Sequence, residues 1–328
     1  MSPWIPRLHL FEIADQSWFP PFLRAYVQTG LTHAWTTRIP LLQPCSPATL
    51  VANILRRELG ASVSSYAYID FCAGAGGPTP HIEKALNKQL QTTSSPSPSS
   101  SSPPASYAAA AAASRDRGGG GGGDGVDFVL TDLHPHVESW ERAARDSPRL
   151  TYVSTPVDAA AAPRELIRRG KAGGKGVFRL FNLAFHHFDD PLARAILRNT
   201  VETSEGFGIF ELQSRTISSF VSCMLFGLFI FLIAPLLYWW SAPILFFVYV
   251  VPVVPFVLVF DGLVSSLRTR TADEVEVLLR TCGDDDVDTA AWRVRSGSET
   301  FLWPCGHLTW VICTKDKEEE RGAQGRRS

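Results

Sequence analysis

The chain has 328 residues, and its 31 lysines and arginines against 32 aspartates and glutamates give a net charge of −1. A near-neutral chain without a local basic stripe has no field that attracts nucleic acid, so we expect no nucleic-acid partner. The six cysteines form no CxxC pair, and no His or Cys spacing assembles three metal ligands. We therefore expect neither a disulfide framework nor a metal site.

Residues 1–58 form an aromatic-rich segment that includes Trp18, Phe19 and Trp35. The first residues lack the apolar core of a signal peptide, so we expect the soluble part of the protein to face the cytosol. Such a segment is suited to cap an apolar ligand, although ordinary packing explains its composition as well.

Beyond residue 58, short β-prone runs alternate with helical stretches. The predicted strands cover 66–71, 127–130, 150–153, 177–183 and 208–212, and the predicted helices include 80–89 and 191–202. This alternation predicts an α/β fold with a doubly wound parallel sheet covered on both faces. Sheets of this class bind ligands at the carboxyl ends of their strands.

Two segments interrupt this pattern. Residues 91–125 consist almost entirely of Ser, Pro, Ala and Gly, with a few charges. They cannot bury enough apolar surface to offset the entropy of ordering, so we predict a disordered insertion. The charged tail, residues 315–328, is predicted to be disordered for the same reason.

The first predicted strand ends in a glycine-rich turn that contains Asp70, Gly74 and Gly76. Glycines let the backbone turn sharply and let a ligand approach, although a tight turn without a ligand has the same composition. Asp132 ends the second strand, 58 residues after Gly74. Subtracting the 35 residues of 91–125 leaves 23, close to the spacing of about 20 at which an acid binds a ribose in dinucleotide folds. The third glycine of the dinucleotide motif is replaced by Thr79.

In this order, residues 70–78, Asp132, Asp158 and residues 181–188 resemble the motifs of class I S-adenosylmethionine-dependent methyltransferases. The resemblance covers residues 66–211, with 291–314 resembling the closing β-hairpin. It implies a Rossmann-like methyltransferase domain built from 59–90, 126–215 and 261–314, with S-adenosylmethionine as cofactor. It further implies that Asp70, Gly74 and Gly76 bind the methionine part, that Asp132 binds the ribose, that Asp158 lies near the adenine amine, and that Asn182 lines the pocket.

The fourth predicted strand is followed by His186 and His187. The Asn/Asp-Pro-Pro-Tyr/Phe motif of amino-methylating members is absent, and the Phe-His-His-Phe run resembles small-molecule methyltransferases. A histidine here is a candidate catalytic base, because its ordinary pKa lies near 6.5. Equally, one histidine can cap the next helix while the other packs under the loop.

Residues 216–260 contain no Asp, Glu, Lys, Arg or His. Since a bilayer core needs about 20 apolar residues per helix, the block fits two helices, 217–237 and 242–260, as an inserted transmembrane hairpin. Arg215 before it and Arg268 after it place both ends in the cytosol. Pro252 and Pro255 are expected to kink the second helix, and a re-entrant hairpin is the alternative.

The whole arrangement also resembles a family of uncharacterised microbial methyltransferase-like membrane proteins. We therefore expect an integral membrane protein that contacts the lipid bilayer and transfers a methyl group to a lipophilic or membrane-proximal small molecule. A non-catalytic membrane scaffold with the same fold is the first alternative, and an NAD(P)-dependent reductase is the second. The sequence identifies no protein partner.

Overall fold

The computed structural model describes residues 3, 5–94, 125–283 and 288–316. The strands are β1 (Tyr66–Phe71), β2 (Phe128–Thr131), β3 (Leu150–Tyr152), β4 (Gly176–Asn182), β5 (Gly206–Glu211), β6 (Trp292–Leu302) and β7 (Gly306–Lys315). The helices are α1 (Pro21–Thr36), α2 (Pro47–Leu59), α3 (Thr79–Ser94), α4 (Val137–Arg145), α5 (Arg164–Gly170), α6 (Asp190–Thr203), α7 (Ile217–Leu237), α8 (Ala242–Leu245), α9 (Val253–Arg268) and α10 (Ala272–Arg280).

The seven strands form one sheet in the order β3-β2-β1-β4-β5-β7-β6. The first five are parallel, and β7 runs antiparallel between β5 and β6. The five strands predicted from the sequence and the closing β-hairpin are all present, so the prediction of a mixed α/β fold is confirmed. The strand order reverses between β1 and β4, and such a switch point opens a crevice at the carboxyl ends of the two strands.

The central strands are buried on both faces, as expected of parallel strands between helical layers. All six residues of β1 are buried. In β4 the buried run includes Arg179, whose guanidinium donates hydrogen bonds to Ser204 Oγ at 2.9 Å and Asn199 Oδ1 at 2.7 Å. The guanidinium lies 4.4 Å from the centroid of the Phe71 ring. Neutral oxygens and an aromatic face therefore solvate a charge inside the core.

Helix α3 continues to Ser94, so the helix extends four residues into the predicted insertion 91–125. Residues 95–124 of that insertion lie outside the described residues, as do 317–328 of the predicted tail. Strand β7 extends to Lys315, the first residue of that tail.

The apolar block begins with one helix, α7, that is long and apolar enough to cross a membrane. Only 22% of its most apolar window is buried in the protein, whereas the core helix of a soluble protein is mostly buried. Its partner is α9, and the two helices come close at Gly227. A β-carbon on Gly227 would overlap with Val259 Cγ2, so glycine permits this close helix contact.

The predicted second helix, 242–260, differs in the structure. The chain forms the short helix α8, a π-helical turn over Phe246–Val250 and then α9, and the two parts are bent by 65°. The break is at Pro252, which has no N–H to donate, as the sequence indicates. A hairpin of two straight spans is therefore not established: among the described residues, α7 is one unbroken helix long and apolar enough to span a membrane, and the bent pair has the length and composition of a broken span or a re-entrant loop.

The N-terminal segment packs on this apolar block. Phe19, Leu23 and Val27 of α1 and the residues before it form one buried cluster with side chains of α7 and α9. Asp261, in the middle of α9, accepts hydrogen bonds from the backbone N–H groups of Ile13 and Ala14 at 2.7 and 2.9 Å. The carboxylate therefore fixes the segment before α1 against the second half of α9.

Candidate functional site

The glycine-rich turn lies at the carboxyl end of β1, next to the switch point of the sheet. Gly74 has a φ of +52° and Gly76 a φ of +110°, conformations that favour glycine. A β-carbon on Gly74 would meet no atom of the described residues within 4 Å. The turn therefore leaves open space beside its backbone, and a ligand can approach it closely.

Asp132 lies against this turn. The backbone N–H of Gly74 donates to Asp132 Oδ2 at 2.8 Å, and the N–H of His134 donates to Oδ1 at 2.8 Å. Trp140 also holds the turn, because its indole N–H donates a hydrogen bond to the carbonyl of Gly74 at 2.9 Å. The structure thus brings together two residues that are 58 positions apart in the sequence.

Asp70, the residue before the end of β1, and Asn182, the last residue of β4, lie at the switch point. The hydroxyl of Thr79 donates to Asp70 Oδ2, and Asn182 Nδ2 donates to Thr79 Oγ1 at 3.0 Å. Two buried acceptors, Asp70 Oδ1 and Asn182 Oδ1, have no hydrogen-bond partner among the described residues. Burial raises the pKa of Asp70 to about 7, and the hydrogen bonds from Thr79 and Asn182 oppose this shift. A cation bound in the crevice would supply the missing donors.

Asp158 follows β3 at the same end of the sheet. The N–H of Val157 donates to the carbonyl of Asp132 at 2.9 Å, which holds the two loops together. The carboxylate of Asp158 is exposed and accepts from the N–H of Ala160 at 2.8 Å. All six predicted cofactor residues therefore share one end of the sheet, although the Asp158 side chain caps its own turn.

His186 and His187 lie in a short 3₁₀ turn after β4 and have different surroundings. His186 is buried, and its Nδ1 lies 2.8 Å from Glu211 Oε2 at the end of β5. His187 is partly exposed, and its Nδ1 lies 3.0 Å from Asp15 Oδ2. Burial, together with the nearby charge of Arg268, lowers the pKa of His186 to about 3, so this imidazole is neutral at physiological pH.

Two acids, Glu211 and Glu12, form a cluster with His186 and His187, which we call the histidine cluster. The sequence analysis identified neither acid as a site residue. Glu211 accepts from the backbone N–H of His186 at 3.2 Å, and burial raises the pKa of Glu211 to about 8. Glu12 lies 3.6 Å from His186 Nε2, and burial raises its pKa to about 7. Only the position of Glu211 at a predicted strand end could have indicated its role. Nothing in the sequence relates Glu12 to a loop more than 170 residues away.

Arg268, at the end of α9, connects the cluster to the apolar block. Its guanidinium donates to Glu12 Oε1 at 3.2 Å, to the carbonyl of His186 at 3.2 Å and to that of His187 at 3.0 Å. The ligand atoms of Glu12, His186 and His187 lie within 4.8 Å of one another, a spacing that suits a metal ion. A guanidinium already faces the Glu12 oxygen, and its charge opposes a second cation there. The expectation of no metal therefore stands as a prediction.

The pKa of Glu211 predicts how stability depends on pH. Between its ordinary value of 4.5 and about 8, the folded state holds a proton that the unfolded state has lost, so stability falls as pH rises through this window. Glu211→Gln keeps the hydrogen-bonding shape without the proton, and we expect it to remove on the order of 2 kcal/mol of that fall. Thermal melting of the detergent-solubilised wild type and variant at pH 5 and pH 8 measures how much of the fall in stability the variant removes.

The lowered pKa of His186 has the opposite effect on stability, which rises with pH between about 3 and 6.5. The control is Glu165→Gln, which changes an exposed acid. If the stability of the wild type, of Glu211→Gln and of Glu165→Gln depended on pH to the same extent, the prediction would be contradicted.

No family model matches the chain, and no curated protein matches it. Among solved structures, an O-methyltransferase family protein from Burkholderia thailandensis aligns with 82% of this chain and 56% of its own, with a TM-score of 0.41 and 11% identity. The pyocyanin biosynthetic protein PhzM aligns with the same coverage, a TM-score of 0.40 and 12% identity. A protein described as a Zn-dependent alcohol dehydrogenase from Rhodobacter sphaeroides aligns with 94% of this chain and all of its own, with a TM-score of 0.43 and 12% identity.

The chain thus spans 56% of the length of the first two structures. Methyltransferases are among its structural neighbours, but at these TM-scores and identities the likenesses carry no argument about activity. The case for a cofactor therefore depends on the geometry of the crevice itself.

Proposed function

We propose that the chain is an S-adenosylmethionine-dependent methyltransferase that acts on a lipophilic or membrane-proximal small molecule. The hydrogen bond between the Gly74 N–H and Asp132 carries the proposal, because it joins the glycine turn to the acid that we propose binds the ribose, next to the switch point. The bound cofactor would supply a methyl group on a positively charged sulfur. The protein's task is then to orient that group and to hold a base near the acceptor.

The residues of the crevice fit this cofactor. Its methionine ammonium is a cation with N–H donors, and Asp70 Oδ1 and Asn182 Oδ1 are buried acceptors without partners among the described residues. Its ribose hydroxyls would bind the Asp132 carboxylate, and its chain would lie over Gly74, where a β-carbon has room to protrude. Asp158 Oδ1 accepts the Ala160 N–H, and the other oxygen of this exposed carboxylate would accept from the adenine amine.

Of the two histidines, His187 suits the role of base better. Asp15 holds its Nδ1, which leaves Nε2 for a proton of the acceptor, as in a carboxylate-oriented base. His186 is enclosed between Glu211 and Glu12 and supports the loop as a positioning residue. Both assignments remain proposals.

Calorimetry on the detergent-solubilised chain distinguishes the three functions. We expect S-adenosylmethionine and S-adenosylhomocysteine to bind and NADPH not to bind, since the crevice lacks the third glycine of the dinucleotide motif. Binding of NADPH alone would favour the reductase. A folded protein that binds none of the three would favour the scaffold.

The proposed membrane association makes a separate prediction. The exposed apolar surface of α7 suits lipid, and Trp239 and Trp240 at its far end suit a membrane interface. In sealed vesicles with the sheet domain outside, we expect an impermeant maleimide to label Ser154→Cys at once and Ser241→Cys only after permeabilisation. The chain with its native cysteines provides the background. Equal labelling of both positions in sealed vesicles would favour the re-entrant loop.

A further inference from the structure

A cavity of about 350 Å³ lies beside the histidine cluster, between the end of β5, strand β7 and the first turn of α10. Its volume is in the range of small-molecule sites. Apolar side chains form most of its wall, among them Phe185, Ile209 and Val275. His186 and Glu211 of the histidine cluster also line it.

Arginines supply the charge of this cavity. Arg215 and Arg270 line it, and both are buried. Arg215 donates through Nη2 to Glu274 at 2.5 Å, while its Nε has no hydrogen-bond partner among the described residues. Arg270 shares the carboxylate of Asp190 with Arg7. Three guanidinium groups thus accompany the carboxylates of Glu274 and Asp190. The third acid at the cavity, Glu211, holds its proton at neutral pH because burial raises its pKa to about 8, so an excess positive charge remains.

Hydroxyl groups add further donors. Ser296, Ser298 and Thr309 line the cavity. The start of α10 adds little, because its capping box already uses the N–H groups of Thr271 and Glu274, and Asp273 and Glu274 lie in its first turn. Guanidinium and hydroxyl groups together bind phosphate or carboxylate oxygens.

The cavity also lies where the apolar block joins the sheet domain. Arg215 stands two residues before α7, and Thr269 follows directly after α9. Ile217, the first residue of α7, is 79% exposed. A molecule that enters from the lipid side therefore meets the apolar wall and the arginines at the same place.

We propose that this cavity binds a single-chain anionic amphiphile, with its phosphate or carboxylate at Arg215 and its chain along the apolar wall. Binding does not depend on methyl transfer. Because His186 and Glu211 line the same cavity, the amphiphile could also be the methyl acceptor. That second step alone rests on the proposed function.

The test uses the full chain in phosphatidylcholine nanodiscs, with empty nanodiscs as blank and radiolabelled dodecyl phosphate as the probe. We expect saturable binding, displaced by unlabelled dodecyl phosphate but not by uncharged dodecyl maltoside. Displacement by dodecyl maltoside would overturn the proposal. Equal displacement by inorganic phosphate would also overturn it, because the site would then bind a small soluble anion and not an amphiphile.

Two variants locate the site. Arg215→Gln removes the charge, and we expect binding about tenfold weaker or more, the usual effect of losing a charged hydrogen bond. Ser298→Phe fills the cavity from an exposed position and should abolish binding without loss of folding. Arg168→Gln, an exposed arginine of α5, is the control. If Ser298→Phe binds dodecyl phosphate as the wild type does, the proposal is overturned.

S-adenosylmethionine binding is measured on the same samples, so that the amphiphile site and the methyltransferase function are tested separately. Samples that bind dodecyl phosphate but not S-adenosylmethionine would contradict only the methyltransferase function.

Discussion

Asp132→Ala is expected to weaken S-adenosylmethionine binding by about 1–3 kcal/mol, or roughly 5- to 150-fold. The carboxylate would hold the ribose hydroxyls, and it already orders the turn through the Gly74 N–H. Calorimetry with the cofactor and with S-adenosylhomocysteine measures the loss. Asp146→Ala, in the loop after α4, removes an acid elsewhere and should bind as the wild type does. Equal affinity of Asp132→Ala and the wild type would contradict the assignment of the ribose acid.

Gly74→Val tests the same crevice sterically. A β-carbon there meets no protein atom within 4 Å among the described residues, so the added side chain occupies the space proposed for the cofactor. Gly60 offers a matched control, because its φ is +53° and its β-carbon position is equally open, at the end of α2. Both valine variants place a β-branched side chain at a positive φ, but only Gly74→Val should lose cofactor binding. Loss of binding in both would indicate a general effect on folding.

Arg268→Gln is expected to lower the free energy of unfolding by about 3–5 kcal/mol, the effect of breaking a buried ion pair. The variant leaves Glu12 buried beside His186 and frees the carbonyls of His186 and His187. Denaturation in detergent measures the loss, and hydrogen exchange should increase at residues 7–16 and 183–188. The exposed Arg168→Gln should change stability by less than about 0.5 kcal/mol.

A second substitution separates the charge from the packing. Glu12→Gln removes the uncompensated carboxylate, so the double variant should recover part of the stability that Arg268→Gln loses. A double variant that is as unstable as the sum of the two single variants would show that Glu12 and Arg268 act independently.

The sequence predicted the parts of the fold that depend on local pattern. Apolar runs between turns predicted β1 to β5, and the glycine turn predicted where the crevice opens. The spacing argument brought Asp132 next to the glycine turn because it removed a segment of biased composition from the count, and the ribose-binding role of Asp132 stays a prediction. For α3, the same composition placed the boundary too early, since helical structure continues through residues 91–94.

The rest depends on contacts between distant segments, which no local pattern encodes. Glu12 meets Arg268 across 256 residues, and Asp261 holds the backbone at Ile13 across 248. The prolines of the apolar block predicted a kink, but the size of the bend depends on how α1 and α7 pack against α9. His186 and His187 could not be told apart, because only their burial distinguishes them.

The position of β7 affects how the protein is made. This strand lies between β5 and β6, so β5 keeps an unpaired edge until residues 306–315 have been synthesised. The apolar residues 216–260 leave the ribosome before them, several seconds earlier at a rate of about 5–20 residues per second. During that interval the nascent chain presents both an open sheet edge and an apolar helix, each prone to aggregation. Delivery of the apolar block to its final environment while synthesis continues would shelter the helix before the last strand closes the sheet.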